Sequence, residues 1–275
     1  MTGAAGIHSL LFVPGSRPDR FEKAFASGAD LVCIDLEDAV APGDKEEARR
    51  KAVEALPLLD LARLAIRING LSTPAGLRDL VALADAAALP TTILIPMASA
   101  PAHVEIVRNM LGPIGLIPLI ETAAALRGAA EIAAAEGVTG MMFGGGDLSA
   151  QLGVELAWEP LMVARGQFVL AGAGLGIGLI DVPFIHISDE AGLAQETRRA
   201  KALGFTAKAA IHPAQVPIIN QVFAPTSEEL AQARISLAAY REAGDRAVQH
   251  EGRMLEAPLV RRYEALLQQK ETRDA

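Results

Sequence analysis

One cysteine in 275 residues, Cys33, excludes an internal disulfide and fits a reducing cytoplasm. It lies in the apolar run Leu31-Val32-Cys33-Ile34, the setting of a small buried hydrophobe and not of a nucleophile. Aromatic residues are scarce, with one Trp, two Tyr and eight Phe, yet 51% of the chain is hydrophobic. The core must therefore be built from Ala, Leu, Ile and Val, which suits strands covered by helices. Positive charge is in deficit, with 25 Lys and Arg against 33 Asp and Glu and a net charge of −8. That excludes an extended nucleic-acid surface but leaves room for a local basic patch. No apolar run reaches the length of a membrane span before Pro, Gly or a charge breaks it, so a soluble, non-membrane protein is expected. The N-terminus shows no basic region followed by a long apolar stretch, and no signal peptide is expected.

Short apolar runs alternate with longer, Ala-rich, charge-dotted segments along the whole chain. Candidate strands are Ser9–Gly15, Leu31–Glu37, Leu64–Asn69, Thr91–Met97, Gly115–Glu121, Gly140–Gly145, Gly176–Asp181 and Ala207–His212. Amphipathic helices are predicted over Pro18–Ser27, Lys45–Leu56, Thr122–Glu136 and Glu190–Leu203, among others. Eight strand–helix units close a parallel barrel, so the expected fold is an α/β (β/α)8 TIM barrel over residues 1–222. A doubly wound sheet is the structural alternative, but it would commonly use fewer strands and would not need a polar residue at the end of nearly every one. Residues 223–275, with a helix over Glu228–Ala243 and another ending near Gln269, exceed what eight units require. They are expected to form a C-terminal helical extension of the same domain, as a cap, lid or oligomer contact.

The strand ends carry the polar residues. Arg17, Asp35, Arg67, Met97, Glu121, Asp147, Asp181 and His212 follow at intervals of about 18 to 34 residues, which places them on one rim of a barrel. Ile117-Pro118-Leu119-Ile120-Glu121 and Met141-Met142-Phe143-Gly144-Gly145-Gly146-Asp147 each end an apolar strand in a carboxylate. On neighbouring strands these acids would repel when bare, and a divalent cation resolves the conflict. Two carboxylates with open positions suit Mg²⁺, which keeps waters or takes substrate oxygens. Either acid alone reads equally well as a helix cap.

Arg67 sits at the buried end of a strand, where it can grip a carboxylate bidentately or pair internally with Asp35, Glu37 or Asp38. The loop Pro14-Gly15-Ser16-Arg17-Pro18-Asp19-Arg20 opens a helix and carries Arg17 and Arg20, with Lys23 a turn later. Those three residues are candidates for holding a phosphorylated cofactor, or else form a solvated face. The run Ala171–Gly178 lacks the third glycine of a dinucleotide loop and reads as a helix stop before a strand.

In order along the chain, Leu11-Phe12-Val13-Pro14-Gly15, Asp35-Leu36-Glu37-Asp38-Ala39-Val40, Arg67-Ile68-Asn69-Gly70, Glu121-Thr122, Gly144–Asp147 and Lys208–Pro213 resemble the citrate lyase β-subunit-like proteins of the HpcH/HpaI aldolase family. The likeness runs from about Leu10 to Gln221. It implies a trimeric, Mg²⁺-dependent barrel that makes or breaks a carbon–carbon bond in a CoA thioester of the citryl, malyl, citramalyl or methylmalyl type, releasing a 2-oxo acid. It implies Glu121 and Asp147 as metal ligands and Arg67 as the holder of the oxo-acid carboxylate. Backbone N–H groups of Gly145, Gly146 and Leu148 would assist that binding, and Glu256 stands where relatives supply a catalytic acid or base. Met97 stands where the family commonly has Lys, and Gly146 where an acid is common. A metal-dependent aldolase on free 2-oxo acids, or a subunit that works only inside a citrate lyase complex, would share the same metal pair.

Overall fold

A computed structural model describes residues 6–274. Eight parallel strands close on themselves in chain order, β1 Ser9–Pro14, β2 Leu31–Asp35, β3 Leu64–Arg67, β4 Thr92–Ile95, β5 Gly115–Ile120, β6 Gly140–Phe143, β7 Gly178–Asp181 and β8 Ala207–Ala210. Closure is made by β1 pairing with β8, Leu10 opposite Ala209. Helices follow the strands: α1 Phe21–Phe25, α2 Lys45–Ala55, α3 Pro74–Ala84, α4 Pro101–Leu111, α5 Ala123–Arg127, α6 Ala129–Ala133, α7 Gly145–Leu152, α8 Trp158–Gly172, α9 Glu190–Leu203 and α10 Gln215–Phe223. The TIM barrel expected from the alternation is the fold observed.

Strand parity assigns every side chain. Leu10, Cys33, Ala65, Leu94, Ile117, Leu119, Met142, Ile180, Ala207 and Ala209 fill the barrel interior as one cluster. Their neighbours Leu11, Val32, Ile66, Ile93, Leu116, Met141, Leu179 and Ala210 pack outward against the helices. Cys33 is fully buried, and burial pushes its thiol pKa well up, as befits a packing residue.

The predicted helix over Pro18–Ser27 is a 3₁₀ turn, Pro18–Arg20, followed by the five-residue α1. The helix predicted over Thr122–Glu136 is divided at Gly128 into α5 and α6. The segment after α8 is a helix stop, as its glycines suggested. Gly174 and Gly176 both take positive φ, and β7 begins at Gly178.

The chain divides into two compact units, 1–223 and 224–275. The second contains α11 Ser227–Glu242, opened by a Thr226–Glu229 capping box, and α12 Ala257–Asp274. Between them a hairpin pairs β9 Val248–His250 with β10 Arg253–Leu255, a feature the sequence reading did not foresee. Its two-residue turn, Glu251-Gly252, has φ of 47° and 76°, the geometry that matches hairpin twist. No described helix is long and apolar enough to cross a membrane.

Candidate active site

The same parity aims a set of side chains at the mouth. Asp35 continues the inward series of Cys33, Arg67 that of Ala65, and Glu121 that of Ile117 and Leu119. Asp147 arrives in the first turn of α7 and is exposed. Glu121 is only 4% exposed. Its Oε2 accepts a 2.5 Å bond from the Met97 N–H, and Met97 adopts φ 52°. A non-glycine residue in that conformation carries strain, and here it aims an amide at a buried carboxylate.

The space for Glu121 is made by Gly144. A Cβ on Gly144 would lie 2.0 Å from Glu121 Cγ, an impossible approach. Burial pushes the Glu121 pKa to about 7, opposed by the Met97 amide and the Arg67 charge and reinforced by the Asp147 charge. Glu37 is pushed by burial to about 8, against the pull of Arg67 and with Asp38, Glu121 and Asp35 adding to the rise.

Arg67 is held between acids. Its Nε and Nη2 donate to Asp35 Oδ1 and Oδ2 at 2.7 and 2.6 Å, a two-pronged grip. Its Nη1 reaches Glu37 Oε2 at 2.9 Å and Asp38 Oδ2 at 3.0 Å. The Phe12 ring lies 4.9 Å from the guanidinium carbon. Glu37 Oε2 makes no aligned hydrogen bond despite the short ion-pair distance, so it is the poorly fixed partner. Internal pairing, the alternative raised from the sequence, is thus present on every edge of Arg67. Behind it, buried Asp79 accepts from the Asn69 N–H and Nδ2 at 2.7 Å each and from Arg49 Nε at 2.7 Å, which fixes the chain just past β3.

The mouth therefore carries Asp35, Glu37, Asp38, Glu121 and Asp147 against the Arg67 guanidinium, with the Lys45 ammonium held on the Leu36 and Glu37 carbonyls beside them. Asp35 and Glu121 are buried and Glu37 half-buried, and acids crowded in that way are relieved by protonation or by a cation. Among the described residues no three His, Cys, Asp or Glu converge as a complete metal cage. Glu121 and Asp147 are the pair that could hold an ion, one that completes its shell with water and substrate oxygens.

The other expected site residues are placed as follows. Gly145 is buried and Gly146 open, and their N–H groups, with that of Asp147, precede the first α-helical bond of α7. That first bond runs from the Leu148 N–H to Gly144 O at 3.2 Å, and the Leu148 side chain is buried. Leu148 therefore has no free amide to offer a substrate, a correction to the sequence reading. Arg17 is engaged with Asp19 at 2.7 Å on the surface, while Arg20 and Lys23 are exposed. The short α1 gives this basic loop no real helix terminus. Glu256 is exposed in the second unit, just before α12.

Asp181 departs from the rim. Ile180 occupies the inward position of β7, so Asp181 faces the outer helices, where Lys208, its register partner on β8, and Arg165 hold it at 2.6 and 2.9 Å. Burial opposes its ionisation, but the Lys208 and Arg165 charges outweigh it and its pKa is lowered. His212 is exposed, its ring nitrogen accepting from the Ala214 N–H at 3.2 Å. The lysine in the apolar run Ala207-Lys208-Ala209-Ala210 was the available signal for this network, since a buried ammonium needs a carboxylate beside it.

Fold and site define a (β/α)8 barrel whose mouth is rimmed by carboxylates. The family model HpcH/HpaI aldolase/citrate lyase matches residues 8–213, and a C–C bond lyase of the TIM-barrel fold matches 171–268. A citrate lyase subunit beta-like protein of Mycobacterium tuberculosis is 40% identical, with 94% of this chain and 93% of the relative covered. An L-malyl-CoA/beta-methylmalyl-CoA lyase of Cereibacter sphaeroides is 36% identical, covering 95% and 93%. A (3S)-malyl-CoA thioesterase of the same species is 38% identical, covering 86% and 83%. The crystal structure of CitE from M. tuberculosis with magnesium, acetoacetate and coenzyme A superposes with a TM-score of 0.85 at 38% identity, covering 97% and 98%. The chain belongs to the HpcH/HpaI aldolase/citrate lyase family and is a carbon–carbon lyase.

Proposed function

We propose that the protein is a Mg²⁺-dependent lyase that cleaves a 3-hydroxyacyl-CoA thioester of the malyl, citramalyl or citryl type into a 2-oxo acid and a shorter acyl-CoA. The observation that carries this is the acid surplus at the mouth, with Glu121 buried beside Asp147 and a single guanidinium opposite. Relatives of this chain named or crystallised with CoA thioesters, magnesium and oxo acids supply the substrate class. Glu121 and Asp147 would hold the metal, which when bound polarises the oxygens of the oxo-acid portion.

Asp35 keeps the Arg67 guanidinium in plane by its two-pronged grip. The Nη1 end, shared by a poorly aligned Glu37 and by Asp38, whose side chain is 70% exposed, is the end a substrate carboxylate takes over. The N–H groups of Gly145 and Gly146 receive that carboxylate's other oxygen. Arg17, Arg20 and Lys23 form the basic patch offered to the CoA phosphates, which lie in solvent reach. Glu256 is the proton-transfer residue by family resemblance. We further propose a homotrimer in the cytoplasm.

The test is product analysis of purified protein with Mg²⁺ and a panel of citryl-, malyl-, citramalyl- and β-methylmalyl-CoA. The proposal expects a 2-oxo acid with the thioester intact. Release of free thiol without an oxo acid would make this chain a thioesterase, as one relative is named. Cleavage of free hydroxy-oxo acids without CoA would make it an aldolase. Turnover only on an acyl-carrier partner would make it a complex-bound subunit.

A further inference from the structure

On the outer side of β7 and β8, away from the barrel interior, a cavity of about 310 Å³ opens between α8, α9 and the loop after β7. Its floor is Arg165, 1% exposed. The Trp158 ring lies 4.6 Å and the Phe143 ring 5.3 Å from its guanidinium carbon, so aromatic rings pack against it. Nε donates to Asp181 at 2.9 Å, Nη1 has only a 3.5 Å contact to Ala157 O, and Nη2 has no partner among the described residues. A buried arginine that uses so few of its five N–H donors has capacity left, and Arg165 lines the cavity.

The acids nearby are already engaged. Glu196 pairs with Lys208 at 2.8 Å, Glu159 with Arg199 at 2.9 Å, and Asp189 caps α9 through the Gly192 N–H at 2.8 Å. Lys208 is likewise spent on Asp181, Glu196 and Val182 O. Arg165 is thus the one buried cation there with unfilled donors. The remaining wall joins apolar Leu156, Trp158, Val182 and Phe184 to polar His186 and Gln195, and the volume lies at the small end of ligand pockets.

We propose that this cavity is a second binding site, separate from the lyase centre, for a small organic carboxylate with an apolar body. The two carboxylate oxygens meet the Nη1–Nη2 edge of Arg165, and the body lies against Trp158, Val182 and Phe184. No bond is made or broken there. Benzoate is the probe, titrated calorimetrically into metal-free protein in EDTA, with benzyl alcohol as the neutral isostere.

The expected result is saturable benzoate binding to one site and none for benzyl alcohol. Gln195→Trp, at an exposed position on α9 that lines the cavity, fills the space while keeping Arg165 and its Asp181 partner and should weaken binding by about tenfold or more. Arg165→Lys keeps the charge, loses the fork and should weaken it similarly. Should that variant fail to fold, Gln195→Trp decides alone. Asp147→Ala should leave binding unchanged. Absence of saturable binding, undiminished binding in Gln195→Trp, or loss in Asp147→Ala overturns the proposal, the last placing the acid at the barrel mouth.

Discussion

Glu121 and Glu37 are carboxyl groups raised from 4.5 to about 7 and about 8 by burial. Between those values and 4.5 the folded, metal-free chain keeps protons that the unfolded chain has released. Stability therefore falls as pH rises through this window, the reverse of the usual salt-bridged acid. Thermal melts in EDTA from about pH 5 to 8 should show a declining Tm, and a rising one would contradict the buried-acid assignment. A cation on Glu121 and Asp147 requires both ionised, so Mg²⁺ binding near pH 6.5 should release protons from Glu121, roughly up to one per ion. Calorimetry in buffers of different ionisation enthalpy reads that number directly. Asp147→Ala should lower Mg²⁺ affinity by more than roughly a hundredfold while leaving the melting behaviour near wild type, because Asp147 is exposed.

At the scale of elements, the strand–helix alternation was legible because each buried strand is a short apolar run. The predicted strands overran by one or two residues at most C-terminal ends, as β4 shows by stopping at Ile95 and not at Met97. Past that point the chain still reads as apolar, but its amides turn toward the mouth, and the Met97 N–H leaves the ladder for Glu121. Arg67 and Glu121 were legible at the barrel mouth because polarity at a strand end stands out, and Asp147 follows β6 in the first turn of α7. Asp181 was misplaced because one residue of parity, visible only once Ile180 is known to face inward, sends it to the other side of the sheet. Two elements can be tested. Gly144→Ala puts a Cβ 2.0 Å from Glu121 Cγ and should displace that ligand, costing about 1–3 kcal/mol of stability and most Mg²⁺ affinity. Asp79→Ala removes the acceptor of both Asn69 donors and leaves Arg49 on Glu46 alone, and should cost about 1–3 kcal/mol by denaturant melts.

For the whole molecule, the closed barrel followed from counting eight units, whereas the β9–β10 hairpin did not, since two three-residue strands give too little alternation to register. Glu256 precedes α12 in the second unit, and Glu256→Gln should reduce kcat while leaving Mg²⁺ affinity unchanged, the separation expected of a proton-transfer group. The central claim, a cation held by Glu121 and Asp147 that receives an oxo acid, is tested most directly by a crystal structure with Mg²⁺ and a 2-oxo acid. The account predicts one ion bonded to both carboxylates, with the oxo-acid carboxylate at Arg67 Nη1 in place of Glu37 or Asp38. An ion bound elsewhere, or an oxo acid that leaves Arg67 wholly on its internal acids, would contradict it.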